Sequence, residues 1–526
     1  MFNSSMFMNR RSVFVLSICC SVILGIFSSC KNSPEKTGSR YDLVIIGGTV
    51  IDPETKLNAI QNIGIDSGVI SVITNEKIEG KKTINATGLI VAPGFIDLHS
   101  HGQSLIADRM QAFDGVTTAL ELESGVLPIG EWYQFQEKQG RVLNYGAAAA
   151  WTFARISEME GIPMRADLLW FQQAFSLKHW VYDPANDSQT VAIAKRIEQG
   201  IQEGSLGIGV NAGYAPGGGY KELLAVHELA ARYKVPVFTH VTGDYPDDPN
   251  SAAESIGQII SYAAATGSQE HICHLNSTSR KDIATTRKLI LGAQARGLPI
   301  STEAYTYGAS STTIGAALFN EEGIKRKGIR YSQIELNGIP LNDQTFHQYR
   351  KETPGAVIVF KFFDLPREHD LLDQSVLFPG GAIASDGMPW LDKATGMPVD
   401  DHQWPLSEKA FAHPRGAGTY TRLLAQWVRE RHALTISEAI AKSSLIPAQI
   451  LERSVPAMKR KGRLQLGMDA DIILFDPATV QDNATFTNPT LPASGMMYVL
   501  VNGKLVIENG VLNPDARPGK PVRRNP

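Results

Sequence analysis

Apolar residues along this chain come as short β-branched runs near both ends and as an alternation of strand-like and helix-like patterns between them. Residues 41–50 (YDLVIIGGTV), 62–65, 69–73 and 88–92 read as short strands separated by Gly and Asp. Towards the other end, 470–475 (ADIILF), 497–501 (MYVLV) and 505–507 repeat the pattern, and Asn502-Gly503 between two of these runs is a strong hairpin signal. β-Rich ends flanking a long middle predict a small β-sandwich domain assembled from residues 41–92 and 456–513.

The middle carries eight apolar runs suited to buried parallel strands: 94–99, 116–123, 146–153, 205–210, 235–240, 270–274, 298–304 and 382–386. Helical patterns lie between many of them. The clearest is 220–233, which puts Leu223, Val226, Leu229 and Ala230 on one face. Strand–helix alternation of this kind predicts an α/β fold, a (β/α)8 TIM-like barrel over residues 93–455. The stretch 305–380 is too long for one loop and is expected to form an insertion or lid after strand seven. No fixed-period repeat is present. Residues 514–526, rich in Pro and Arg, read as a loose tail.

Composition narrows the class. The 526 residues carry 50 basic and 53 acidic side chains, for a net charge of −3, with 43% hydrophobic residues. That excludes a disordered or collagen-like chain and gives no basic stripe for nucleic acid. Arg10-Arg11 precede an apolar run of fifteen, 13–27, which is short for a membrane-spanning helix and suits a signal peptide. Phe27-Ser28-Ser29-Cys30 resembles a bacterial lipobox. Residues 1–29 are therefore expected to be a lipoprotein signal, Cys30 the lipidated residue, and 30–40 a polar tether. The enzyme would be exported and held at a bacterial membrane, periplasmic or at the cell surface, only by that lipid. Cleavage removes Arg10, Arg11, Cys19 and Cys20, moves the charge to −5, and leaves Cys273 as the one cysteine besides Cys30.

Candidate chemistry sits at the ends of the proposed strands. In a strand, residues i and i+2 point the same way, so His99 and His101 converge at a barrel mouth. Runs five and six end in His240 and His274, with His271 a weaker competitor for the latter. The eighth ends in Asp386. The second carries Glu121 and Glu123, buried acids that need a cation or hydrogen-bond partners. His and carboxylate donors together suit zinc.

These motifs make the chain resemble the amidohydrolase superfamily, and within it the N-acyl-D-amino-acid deacylases (D-aminoacylases). The resemblance rests on residues 92–101 (APGFIDLHSH), Gly115-Val116-Thr117-Thr118, Gly204-Ser205-Leu206-Gly207, Ser385-Asp386-Gly387, His413-Pro414-Arg415 and 467–471 (GMDAD), and covers essentially 41–512. It implies that His99 and His101 bind one metal position and His240 and His274 the other, with zinc as one or two ions. It implies Asp386 as metal ligand and general base, and Arg415 as the grip on the substrate's carboxylate. Where many D-aminoacylases carry a cysteine ligand this chain has Ser124. Glu123 is therefore the favoured bridge and Glu121 the alternative, a pattern resembling the N-acyl-D-glutamate deacylase branch. Tyr305 and Tyr307 are candidates to bind the scissile carbonyl oxygen. A D-glutamate side chain would need a further cation, for which Arg280, Lys281 and Arg155 are candidates. The expected activity is zinc-dependent hydrolysis of the linear amide of N-acyl-D-amino acids, with no nucleic-acid partner. Another cyclic-amide or dipeptide hydrolase on the same barrel, and a lipid-anchored binding protein on an inactive barrel, are the competing readings.

Overall fold

The structure, a computed structural model, describes residues 41–524; the signal segment, the tether and Cys30 lie outside the described residues. Eight parallel strands form the central sheet: β1 (Phe95–Asp97), β2 (Val116–Val126), β3 (Asn144–Ala150), β4 (Ile208–Asn211), β5 (Pro236–His240), β6 (Gln269–Ile272), β7 (Ile300–Ala304) and β8 (Ala382–Ile383). They pair in chain order from β1 to β8. β8 returns beside β1, where His101 and Gly102 donate backbone N–H groups to the Gly387 carbonyl at 2.8 and 3.0 Å, making a nearly closed TIM-like barrel. Helices lie between the strands, Tyr220–Tyr233 among them, burying Leu223, Val226, Leu229 and Ala230 as its pattern predicts.

All eight predicted runs contain a barrel strand, with two local differences. After β3 the chain turns helical at Trp151–Glu160, so residues 151–153 leave the strand. β8 is only two residues long, and Ser385 and Asp386 lie beyond it. Ile96, Leu98, Leu120, Leu122, Ala148, Leu206 and Phe238 pack together as one buried cluster of the barrel.

The two chain ends build one nine-stranded sheet, as their β-rich patterns predict. Its seam is the antiparallel pair Ile90–Pro93 with Ile472–Phe475, in which Ile472 faces Pro93. The insertion after β7 carries its own four-stranded sheet, including Ala309–Thr313 paired antiparallel with Val357–Lys361.

The tail corrects its sequence reading. Residues 514–524 are packed against the barrel rather than loose. Gly519 N donates to Arg141 O at 2.9 Å, Val522 N to Tyr145 O at 2.7 Å and Arg524 N to Gly204 O at 3.2 Å. Val522, 1% exposed, joins the cluster of Ile96 and Leu120. A Pro- and Arg-rich composition says nothing about backbone pairing with the start of β3, and that pairing is what orders the segment.

Candidate metal and substrate site

At the C-terminal ends of the strands, side chains from β1, β2, β5, β6 and β8 converge. His99 and His101 follow β1, and their Nε2 atoms approach to 3.1 Å. Asp386 Oδ1 lies 3.4 Å from each of them, and Glu123 Oε2 lies 3.4 and 3.5 Å from the same two atoms. On the other side of the Glu123 carboxylate, Oε1 is 3.0 Å from His240 Nδ1 and 2.9 Å from His274 Nε2. Those two imidazole nitrogens are themselves 3.0 Å apart.

Such spacings fit a metal. Four donors around zinc at ~2.0–2.1 Å stand ~3.3 Å apart at tetrahedral angles. The quartet of His99, His101, Glu123 and Asp386 has edges of 3.1 to 3.5 Å, and the trio of Glu123, His240 and His274 has edges of 2.9 to 3.0 Å. The first set could hold one ion and the second another with an open position, Glu123 offering one oxygen to each. All six residues singled out from the sequence as ligands are therefore brought together. His271 is not among them: its ring faces Ser301 and Glu303 inside the barrel.

A bulge in β2 separates the two acids. Relative to β3, Glu121 faces Ala147 but Val126 faces Ala149, so five steps on β2 match two on β3. Gly125 turns with φ +63, and a Cβ on Gly209 of β4 would stand 2.4 Å from the Glu123 carbonyl oxygen. Glu123 thus swings into the mouth. Glu121 stays beside β1, 2.9 Å from His101 Nδ1, on the ring edge away from the cluster.

Two supporting residues escaped the sequence reading. Glu303 on β7 accepts from His99 Nδ1 at 2.5 Å and reaches His271 Nε2 at 3.1 Å with its other oxygen. Asn211, ending β4, donates Nδ2 to Glu123 Oε2 at 2.9 Å. A lone acid inside the apolar run 298–304 was the available signal for Glu303; Asn211 left none. Such partners fix the ring orientation and charge of ligating groups. Two of the converging residues, His274 with φ +33 and Asp386 with φ +52, sit in the left-handed region that side chains other than glycine rarely adopt.

The electrostatics match the crowding. Burial opposes charge on His99, but Asp386, Glu123 and Glu303 outweigh it and hold its pKa well above the ordinary range. Burial likewise works against a charged Glu123, yet His99, His101, His240 and His274 hold it well below the usual carboxylate range. Asp386 is held down despite burial by Arg415 and His99.

The residues expected to bind substrate divide. Arg415 is fully buried behind Asp386, its Nη1 2.8 Å from Asp386 Oδ2 and its guanidinium 4.6 Å from the Tyr305 ring. Its Nε and Nη1 and the Tyr305 hydroxyl make no aligned hydrogen bond. Tyr307 is a correction: its ring packs against Arg422, His413 and Phe486, away from the cluster. Tyr305 and Tyr307 would share a face only if β7 continued, and it ends at Ala304. Arg155 is a buried partner of Glu222, and Lys281 is an exposed partner of Glu368. Arg280 alone of the proposed cations lines the cavity. Lys327, from the insertion, joins it there: Asp244 pairs with Arg280 and, at 2.6 Å, with Lys327.

The cavity over the cluster measures about 490 Å³ and is walled by His101, Glu123, His240, His274 and Asp386 at its floor.

Comparison with known proteins agrees with this geometry. The profile of the amidohydrolase family matches residues 82–162 and 185–507. An N-acyl-D-glutamate deacylase of Alcaligenes xylosoxydans xylosoxydans is 24% identical over 92% of this chain and 97% of its own, and a D-aminoacylase of the same organism is 24% identical over 89% and 95%. Among solved structures, an N-acyl-D-glutamate deacylase from Bordetella bronchiseptica, complexed with zinc and a phosphonate inhibitor, superposes with a TM-score of 0.73 at 21% identity, covering 92% of this chain and 99% of that one. A D-aminoacylase superposes with a TM-score of 0.70 at 20% identity, covering 92% and 100%.

Proposed function

The chain belongs to the amidohydrolase family, and from that premise we propose that it is a zinc-dependent N-acyl-D-amino-acid deacylase whose favoured amino-acid half is acidic, D-glutamate above all. The observation that carries the reading is the Glu123 carboxylate set between two histidine pairs and facing Asp386. A complete donor set of this kind argues against an inactive binding barrel.

His99, His101, Glu123 and Asp386 would hold one ion, and Glu123, His240 and His274 a second. Zinc bound there supplies a water of pKa near ~7 and a Lewis acid for a carbonyl. Asp386, at the edge of the cluster and open to the cavity, takes the proton of the attacking water. It returns that proton to the departing amine, so the products are a carboxylic acid and a free D-amino acid. Arg415 holds Asp386 ionised for this task. The unmatched donors of Arg415 and Tyr305 support a carboxylate-binding role just behind it.

The acidic preference is supported by charge counting. Arg280 and Lys327 share the single carboxylate of Asp244 in the cavity wall, leaving one buried cation in excess. Burial and the neighbouring Arg280 push Lys327 well below the ordinary lysine range, and a bound carboxylate would restore its charge. The sequence of residues 1–30 supports export and lipid attachment at Cys30; mass spectrometry of the mature N-terminus tests it, an unmodified terminus refuting it.

The test of the activity is a screen of N-acetyl, N-formyl and N-succinyl derivatives of D- and L-amino acids with the zinc-loaded protein. Turnover of D-glutamate derivatives over their L-enantiomers is expected. Failure to hydrolyse any D-derivative with stoichiometric zinc bound would refute the reading.

A further inference from the structure

We propose that the aromatic wall of the cavity on the β2–β3 side is a binding site for a bulky apolar acyl group, making this a hydrolase of N-medium- or long-chain-acyl, or N-arylacyl, amino acids rather than of N-acetyl ones. The inference rests on the deacylase reading above and concerns the half of the substrate which that reading leaves open.

The wall has one origin in the chain. Val126 ends β2, and Trp132 and Phe135 lie on the following helix, Ile129–Gln139. Phe153 opens the helix after β3, and Phe171 and Phe175 belong to the excursion between β3 and β4. Their rings form a continuous ladder: Phe153 to Phe171 at 5.4 Å, Phe171 to Phe175 at 5.2 Å, Phe175 to Tyr214 at 6.0 Å and Tyr214 to His240 at 5.1 Å. The ladder therefore starts on a proposed metal ligand and leads outward. At the rim, Phe135 is 62% exposed, a large apolar side chain waiting on the cavity's edge.

Charge decides which half of the substrate lies here. Among the described residues, the cavity lining contributed between positions 124 and 175 includes no Lys or Arg, while Asp167 is anionic. The cations, Arg280 and Lys327, stand beyond β6 and β7. In an eight-stranded barrel, β2 and β3 are across the mouth from β6 and β7. With the carboxylates of the amino acid drawn to the cations and the amide over the histidines, the acyl group must leave towards the aromatic ladder. A two-carbon acetyl group would leave most of that wall against water, and apolar burial favours a longer occupant.

The experiment is a chain-length series, N-acetyl-, N-butanoyl-, N-hexanoyl-, N-octanoyl- and N-decanoyl-D-glutamate, with N-acetyl-D-phenylalanine added. Turnover is followed with zinc-loaded protein, and binding by calorimetry with chelator-treated protein, which needs no catalysis. Each fully buried methylene contributes about fourfold in affinity or kcat/KM, the equivalent of ~0.8 kcal/mol. Half-burial of the six methylenes added from acetyl to octanoyl gives a preference on the order of 50-fold. Phe171→Ser should collapse the octanoyl-to-acetyl ratio. Phe135→Ser, at an exposed position that does not threaten folding, should lower the decanoyl-to-hexanoyl ratio in particular. A flat or falling series in both assays, or N-acetyl-D-phenylalanine outrunning every N-acyl-D-glutamate, overturns the inference while leaving the deacylase reading intact. Graded binding without hydrolysis of any member overturns the deacylase reading and keeps the apolar site.

Discussion

Replacing Glu121 and Glu123 in turn by glutamine separates two carboxylates that strand alternation would treat alike. Glu123 presents Oε1 at 2.9 and 3.0 Å to His274 and His240, and Oε2 at 3.4 and 3.5 Å to His99 and His101. Glu121 touches the outer nitrogen of His101 alone, at 2.9 Å. Glutamine keeps the shape and one acceptor oxygen while removing the charge. At position 121 this turns one charge-assisted bond into a neutral one. The difference is about 1–1.5 kcal/mol, or roughly tenfold in zinc affinity, the lower end of what outer partners of metal ligands usually contribute. At position 123 the change removes the anionic oxygen of the group with His240 and His274, leaving two imidazoles and an amide. Zinc stoichiometry should fall by one ion per chain. Metal content after equilibration in chelator-buffered zinc gives the stoichiometry, and competition with a chromophoric chelator gives the affinity. Glu121→Gln is expected to keep the wild-type stoichiometry at reduced affinity. Equal effects of the two substitutions, or loss of the ion from Glu121→Gln instead, would refute the assignment of Glu123 as the bridge.

Asp386→Asn should lower kcat by about 10²–10⁴ while zinc at the His240–His274 side remains; near-normal turnover would remove its proton-transfer role. Lys327→Met takes one of two cations from the cavity wall and should cut the preference for D-glutamate over D-leucine derivatives by roughly 10- to 100-fold, as kcat/KM ratios will show; an unchanged ratio argues against an acidic side-chain site there. Val522→Ala removes buried apolar surface from the tail's anchor in the barrel core and should reduce stability by about 1–2 kcal/mol in urea unfolding; an unchanged midpoint would mean the tail adds nothing. Lys442, buried with Nζ donating to the carbonyls of Phe378 and Gly381 at 2.6 and 3.0 Å, has its pKa lowered by burial to about 8. The folded chain then gives up this proton near pH 8 while the unfolded chain keeps it to about 10.4, so stability rises with pH through that window. Between pH 7.5 and 9.5 the wild type should gain about 2 kcal/mol relative to Lys442→Met, measured by urea unfolding at both values; parallel curves would refute it.

The barrel was legible because strands covered on both faces read as unbroken apolar runs, and runs such as 116–123 and 235–240 are hard to place otherwise. Legibility ended where tertiary partners override composition. The tail at 514–524 looks loose by its prolines and arginines, yet Tyr145 at the start of β3 offers an unpaired backbone edge, and Val522 N bonds to its carbonyl at 2.7 Å. Residues 151–153 look like the continuation of β3 because Trp, Thr and Phe suit a strand; packing of the Trp151–Glu160 helix decides otherwise.

Within the site, the histidines were legible because each ends an apolar run, and a polar side chain there has few structural uses. Tyr307 was misplaced by the same logic, since alternation holds only while a strand lasts. Glu303 was overlooked although its run contains a lone acid as costly to bury as Glu121. The choice between Glu121 and Glu123 is the instructive case. Alternation puts both on one face, and burial demands a partner for both. What parts them is the bulge of residues 122–125, made possible by the left-handed turn at Gly125 and by the missing side chain at Gly209, which lets β4 approach the Glu123 carbonyl. Both glycines stand in the sequence, but their meaning depends on which strand lies beside them. Any side chain at position 209 would therefore act on metal binding without touching a ligand, by pushing the bulge that carries Glu123 out of the mouth.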